Sequence, residues 1–379
     1  MPIHPLVSDQ ELASITAFAQ NLLSSESELQ PESFPIHAWQ KLAEGLNALG
    51  WSTDSTYSGR GYSVPETCHR LVALGLGCKN NGLLFALSTQ IWGIQKAITQ
   101  FGNQEQKSHY LPQIISGNLI GAHAINETTS GSDALNISCT ANKDGDYYTL
   151  NGEKTYIALA TVAHFAIVYA TTDASLGHWG ISAFLVDTDV SGCAVIASEN
   201  MMGLQSAPVG KIKLENCQVP ATALLGKVGS GASMFNYVQL WERTLLLAPQ
   251  IGTMKRQLDQ CIQFSKNQIR AGKPISKNQS VSNRIADMTL RLNASELILE
   301  ASAQRLEEGK QDNLHAALTK IQISESFEAN SRDALTLFGA HGYSGKYEHE
   351  QNLRDAIGSS IYGGTTDLQK NIIAGMLGL

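Results

Sequence analysis

The chain has 379 residues, 43% apolar and 16% charged, the composition of a folded globular protein rather than a disordered one. That length suggests two or three domains. With 27 basic residues against 34 acidic ones, the net charge of −7 argues against general nucleic-acid binding, which needs a concentrated basic face.

The N-terminal stretch has no basic segment followed by an apolar one, and no run of about 18 apolar residues occurs. No leader and no membrane span are expected. The six cysteines form no C-x-x-C pair, so free thiols in a cytoplasmic protein are the expectation.

Residues 1–118 read as helices. DQELASITAFAQNLL is amphipathic, and QEQKSHYLPQIISG ends on a glycine stop. STDSTYSGRGYS between them is a polar loop. GLGCKNNG follows a helical pattern rather than a strand, so it is not a dinucleotide glycine loop. Residues 119–228 change texture. YYTLNG, FAIVYATT, ISAFLVD and GKIKLEN are short β-rich runs separated by turn signals, which predicts an antiparallel β domain. VGSGAS at its end is either a linker or a phosphate-cradling turn. Helices return over 229–379. Leu247, Ile251, Met254, Leu258 and Cys261 share one helix face, as do Val281, Ile285, Met288, Leu292, Ser295 and Leu299. These stripes predict the core of a helical bundle. EHE at 348–350 reads as a solvated loop, since no second ligand pair accompanies it, and no metal is expected.

Six segments occur in a fixed order: NETTSGSD (Asn126–Asp133), LNGEKTYI (Leu150–Ile157), MGLQSAPVGKIKLENCQVPATALLG (Met202–Gly226), LFGAHGY (Leu337–Tyr343), LRDA (Leu353–Ala356) and IYGGT (Ile361–Thr365). Together they resemble the acyl-CoA dehydrogenases, over nearly the whole chain. The resemblance implies an α+β fold: an N-terminal helical domain, a middle β domain and a C-terminal four-helix bundle. It implies FAD as cofactor and a homotetramer in which a neighbouring subunit helps hold the cofactor.

By the same resemblance the flavin ring is held at Ile125, Asn126 and Glu127 and at Tyr156, Ile157 and Ala158. Gly131 and Ser132 match a pair used near diphosphate and substrate. Gln268 falls in a segment that serves a neighbour's FAD. That segment is altered, with Gln268 at an arginine position and Ala271 at a phenylalanine. Arg270 lies two residues on, and either takes over the diphosphate charge or leaves FAD binding weaker. Gln279 matches a later glutamine near the adenine end. Gly339, Thr365 and Asp367 fall in the closing motifs that touch the cofactor.

The family reaction needs a carboxylate beside the Cα–H of a thioester. Most members carry it in I-Y-E-G-T, where this chain has Gly363. A minority carries it on a bundle helix, in L-E-R-L-V-L-A. Here LWERTLLLAPQIG places Glu242 on that glutamate and Arg243 on the next arginine. Glu242 is therefore the expected base, and the Gly363 N–H the expected donor to the thioester carbonyl. WERTLLL, KRQLDQCI, AGKPISKNQSVSNRIADMTLRL and ALTKIQISE look most like the branch that oxidises proline tethered to a carrier protein in natural-product biosynthesis. That resemblance implies an acyl or peptidyl carrier protein as partner, and oxygen or an electron-transfer flavoprotein as electron acceptor. Lys255, Arg256, Lys266, Arg270, Lys273 and Lys277 are either a docking patch for an acidic carrier, or a solvated helix face or the neighbour's FAD site. Competing readings are a short branched-chain acyl-CoA dehydrogenase that also uses Glu242, and a non-catalytic scaffold relative.

Overall fold

The computed structural model of the chain describes residues 6–23, 33–197, 200–345 and 347–379. Its first part is helical: α1 Asp9–Gln20, α2 Ile36–Leu46, α3 Val64–Gly77, α4 Asn81–Thr89, α5 Gln95–Phe101 and α6 Gln104–Ile115. Local chemistry sets the ends. Ser63 and Glu66 cap α3 reciprocally, and Asn103 and Gln106 do the same for α6. Gln106 also donates to the Thr222 and Leu224 carbonyls (2.9 and 3.0 Å), tying α6 to the next domain. Between α4 and α5 the helix widens into one π turn, Gln90–Ile94, a feature found mostly at functional sites.

The middle part is one sheet: β1 Gly121–Ala124, β2 Thr140–Asp144, β3 Tyr147–Ala158, β4 Phe165–Thr171, β5 Ile181–Asp187, β6 Cys193–Ala197, β7 Val209–Pro220 and β8 Leu224–Leu225. The order is β6-β7-β3-β2-β4-β5-β8, with β1 also against β4. Pairings are antiparallel except β1 with β4 and the single register position shared by β2 and β4. The continuous apolar run of β4 follows from burial on both faces. Ala166, Val168 and Ala170 face one core, while Phe165, Ile167 and Tyr169 face a second core shared with α5, α6 and α7.

The C-terminal part holds α7 Gly231–Leu245, α8 Ala248–Asn267, the small hairpin β9 Ile269–Arg270 and β10 Lys273–Pro274, α9 Gln279–Glu307, α10 Asn313–Phe338, α11 Ala340–Tyr343, α12 Glu348–Ser359 and α13 Thr366–Met376. Helix α10 packs against α7, α8, α9, α12 and α13. The first stripe is buried throughout. In the second, Met288, Leu292, Ser295 and Leu299 are buried, while Val281 and Ile285 are half-buried. The glycines of GLGCKNNG serve helix packing. A methyl at Gly75 would lie 1.8 Å from the Pro249 carbonyl oxygen, and one at Gly252 would lie 2.0 Å from that of Val72. Arg256 is no part of an exposed patch. It is buried, pairs with Glu348 at 3.2 Å and donates to the Gly75 and Leu76 carbonyls. Glu348 thereby ties α12 to α8, while Glu350 pairs with Arg354 one turn along α12 (2.8 Å), so EHE opens a helix rather than forming a solvated loop. The six cysteines are free, and no helix among the described residues is long and apolar enough to cross a membrane.

Candidate active site

A cleft of about 1200 Å³ opens between the sheet and the helices α7, α12 and α13. Its sheet wall contains Ile125, Asn126, Gly131, Ser132 and Tyr156. Its helical wall contains Glu242, Arg243, Gly363 and Thr365. Residues more than two hundred positions apart in sequence therefore share one cavity.

The sheet wall is held from behind. Lys154, fully buried, donates to the Glu127 carboxylate (2.8 Å) and to the Ile125 carbonyl (3.1 Å). Glu127 also accepts from the Ser138 and Cys139 amides (2.7 and 3.0 Å). Burial by itself would raise the Glu127 carboxyl. The Lys154 charge and the hydrogen bonds from Lys154 and Ser138 outweigh it and hold the group below the usual range. This buried knot fixes the backbone at 125–127. Opposite it, β3 shifts register against β7 between Lys154 and Ile157, and Tyr156 takes a positive φ of 55°. Such a bulge re-aims a side chain. The Tyr156 ring is turned out, 70% exposed, on the cleft wall. Ile157 is carried the other way. Its side chain is buried in the sheet core, and it is not among the residues that line the cleft.

The helical wall carries a buried carboxylate. Glu242 is 7% exposed near the C-terminal end of α7, and accepts from the Gln239 amide at 2.9 Å. Burial pushes its carboxyl up to about 7, while the neighbouring Arg243 charge pulls the other way. Arg243 has a buried Nε with no hydrogen-bond partner and no carboxylate in ion-pair contact among the described residues. The π turn packs directly behind this group. A methyl at Gly93 would lie 2.5 Å from Glu242 Oε1. Gly93→Ala is therefore expected to displace the carboxylate and lower kcat by about 10²-fold, with the bound cofactor retained, since an ångström of misplacement costs on that order. An unchanged kcat would show that this contact does not position Glu242.

The loop after α12 lines the same cleft as Glu242. Gly363 and Gly364 have φ of 66° and 91°, the left-handed region that favours glycine. Their carbonyls accept from buried Gln369 (3.4 and 3.1 Å), and among the described residues their N–H groups find no acceptor. Thr365 caps α13 by accepting from the Leu368 amide at 3.2 Å. Beneath the loop, buried Lys320 donates to the Ser359 carbonyl and lies 5.4 Å from the Tyr362 ring centre. Burial and then the Arg243 charge push its ammonium down to about 7. At the rim, Arg354 donates to the Met202 carbonyl (2.8 Å) and to Gln205 (3.2 Å), pinning the 202–205 segment over the cleft.

Besides Glu127 and Ile157, five predicted residues lie outside the cleft. Gln268 and Arg270 sit on the exposed hairpin after α8, where the Gln268 amide oxygen, suitably turned, accepts from Arg270 at 2.9 Å. Gln279 begins α9, Gly339 ends α10 with φ 61°, and Asp367 is exposed on the first turn of α13. One pair in the site had no sequence signal. His123 on β1 lines the cleft, and its Nε2 lies 2.9 Å from the hydroxyl of fully buried Tyr169. GAHA is too short and too poor in β-branched residues to read as a strand.

Three family models match the chain: the acyl-CoA dehydrogenase N-terminal domain over residues 9–118, the middle domain over 122–217 and the C-terminal domain over 229–378. An L-prolyl-[peptidyl-carrier protein] dehydrogenase of Pseudomonas fluorescens is 37% identical over 342 residues, covering 90% of each chain. The crystal structure of the prolyl acyl carrier protein oxidase AnaB superposes with a TM-score of 0.95 at 37% identity, covering 98% of this chain and all (100%) of that one. The FAD complex of PigA superposes with a TM-score of 0.94 at 30% identity over 100% of both chains.

Proposed function

The chain belongs to the acyl-CoA dehydrogenase family, and from that premise we propose that it oxidises an L-prolyl thioester carried on the phosphopantetheine arm of a carrier protein. The observation that carries this reading is a buried carboxylate, Glu242, lining the same cleft as the Gly363 loop, with no glutamate at position 363. The relatives that act on carrier-bound proline support the substrate class.

The cofactor is FAD, and the residues fit it. The cleft exceeds the usual range of about 300–1,000 Å³ for one small-molecule site, leaving room for a cofactor beside a thioester. Tyr156 offers a flat aromatic face, and the buried Nε of Arg243 and hydroxyl of Tyr362 lack partners. Ile125, Asn126, Tyr156 and the backbone of Ile157 and Ala158 would hold the ring, with Gly131, Ser132 and Thr365 nearby. Gln268, Arg270, Gln279 and Gly339 are assigned to the cofactor of a neighbouring copy in a homotetramer; their position outside their own cleft supports that assignment. FAD supplies an acceptor for the hydride equivalent that leaves Cβ.

The chain's own groups handle the proton and the developing charge. Ionised Glu242 takes the Cα proton, which the thioester carbonyl acidifies. Its burial keeps it dry and basic enough for the task. Arg243 keeps part of its population ionised. The Gly363 N–H donates to the thioester oxygen as enolate-like charge builds there.

Incubating the holoenzyme with L-prolyl carrier protein and, separately, with isovaleryl-CoA tests the reading by mass spectrometry. The expected result is loss of two hydrogens from the prolyl arm in one round, or four in two rounds. Turnover of the CoA ester alone would make the chain a branched-chain acyl-CoA dehydrogenase instead.

A further inference from the structure

A plain acyl chain and a prolyl ring differ by one polar group, the ring nitrogen. A neutral secondary amine carries both an N–H and a lone pair. Buried in a cleft without a partner, it would lose its hydrogen bonds to water and gain nothing back. The inner cleft must therefore present a group for it if proline is the substrate.

Few side chains can. One Glu242 oxygen accepts from Gln239 and the other is left for the Cα proton, while the unpartnered Arg243 Nε and Tyr362 hydroxyl are set aside above for the cofactor. The Thr89 hydroxyl oxygen is sealed off from solvent. His123 is different. Its Nε2 is engaged by Tyr169 (2.9 Å), and its Nδ1 has no partner among the described residues. The ring is wedged between Tyr169 and Phe235, with centroids 5.3 and 6.1 Å away. The residue is half-buried and lines the cleft. His123 lines the same cleft as Glu242, with Tyr169 hydrogen-bonded to it.

We propose that His123, held in place by Tyr169, recognises the ring nitrogen of the substrate and selects an amino-acyl thioester over a plain acyl thioester. The inference rests on the reading of the substrate given above. Either neutral tautomer serves: Nδ1–H meets the amine lone pair, and a bare Nδ1 accepts the amine N–H. Burial pushes the imidazole down to about 4, so it is neutral at the pH where Glu242 ionises. A site built to hydrogen-bond a substrate group rejects the analogue that lacks it, because its own polar atom is then left unpaired.

The test compares two arms on one carrier protein: L-prolyl, and cyclopentanecarbonyl, which keeps the ring and lacks the nitrogen. Wild-type holoenzyme should favour the prolyl arm in kcat/KM. His123→Phe keeps an aromatic ring and should shrink that preference by about tenfold or more, mainly by slowing the prolyl arm. Tyr169→Phe should shift it the same way by less, and gives a second reading if the first variant folds poorly. Flavin absorbance and Tm are recorded for each. If both variants keep the wild-type preference, or slow both arms equally, His123 does not read the nitrogen. If wild type oxidises neither arm, the substrate reading falls and this inference with it.

Discussion

Glu242→Gln is expected to bind FAD normally and to lose flavin reduction by the prolyl thioester by about 10²–10⁴-fold, the range a general base contributes. The substitution is nearly isosteric, and the Gln239 amide can still donate to the new carbonyl oxygen, so the cleft should survive. In wild type the reductive rate should rise with pH through about 7, because only the ionised carboxylate accepts a proton. Stability runs the opposite way. The folded pKa lies above the unfolded value, so folding binds extra protons. Stability therefore falls as pH rises from the ordinary carboxylate range to about 7. Glu242→Gln should thus raise Tm at pH 8 and change it little at pH 4. Stopped-flow bleaching of the flavin and a pair of thermal melts measure both. Retained reduction would mean that Glu242 is not the base, and a variant less stable at pH 8 that it is not a strained buried acid.

Lys154→Met is the second large effect. Lys154 is fully buried, and Glu127 is 5% exposed. Removing the ammonium leaves a buried carboxylate without its counter-charge, which costs about 3–5 kcal/mol. The backbone at 125–127 should loosen with it, so the variant should also release FAD more readily. Adding Glu127→Gln should recover part of the loss, since no unpaired charge then remains. Chemical denaturation and the flavin-to-protein absorbance ratio read the two outcomes. A loss below about 1 kcal/mol would show that this ion pair is not what sets the sheet wall.

The site was legible in the sequence to uneven depth, for physical reasons. Glu242 and Gly363 stand out because two motifs change together: a loop loses its carboxylate and a helix carries one at the place where a minority of the family has it. The bundle stripes were legible because helical periodicity survives in a single sequence. In the sheet, the long apolar strands β4 and β5 were visible. The short or polar strands β1 and β2 were not, and His123 went unseen with β1. The Tyr156 bulge depends on a register shift between strands far apart in sequence, so no local pattern announces that Ile157 turns inward. Arg256 looked like one charge in a basic run, whereas its ion pair with Glu348 spans ninety-odd residues and exists only once α8 and α12 meet. Lys320 and Gly93 are similar cases, ordinary residues in helical text that fold places against Gly363 and Glu242.

The account requires that the hydrogen on Cα leaves. The most direct measurement is a single turnover of the holoenzyme on a carrier protein bearing L-proline deuterated at Cα, followed by the mass of the arm. Loss of the deuterium together with one further hydrogen is the predicted result, with slower flavin bleaching than for the unlabelled arm. An oxidised arm that keeps its deuterium would place the oxidation at another carbon and contradict the assignment of Glu242.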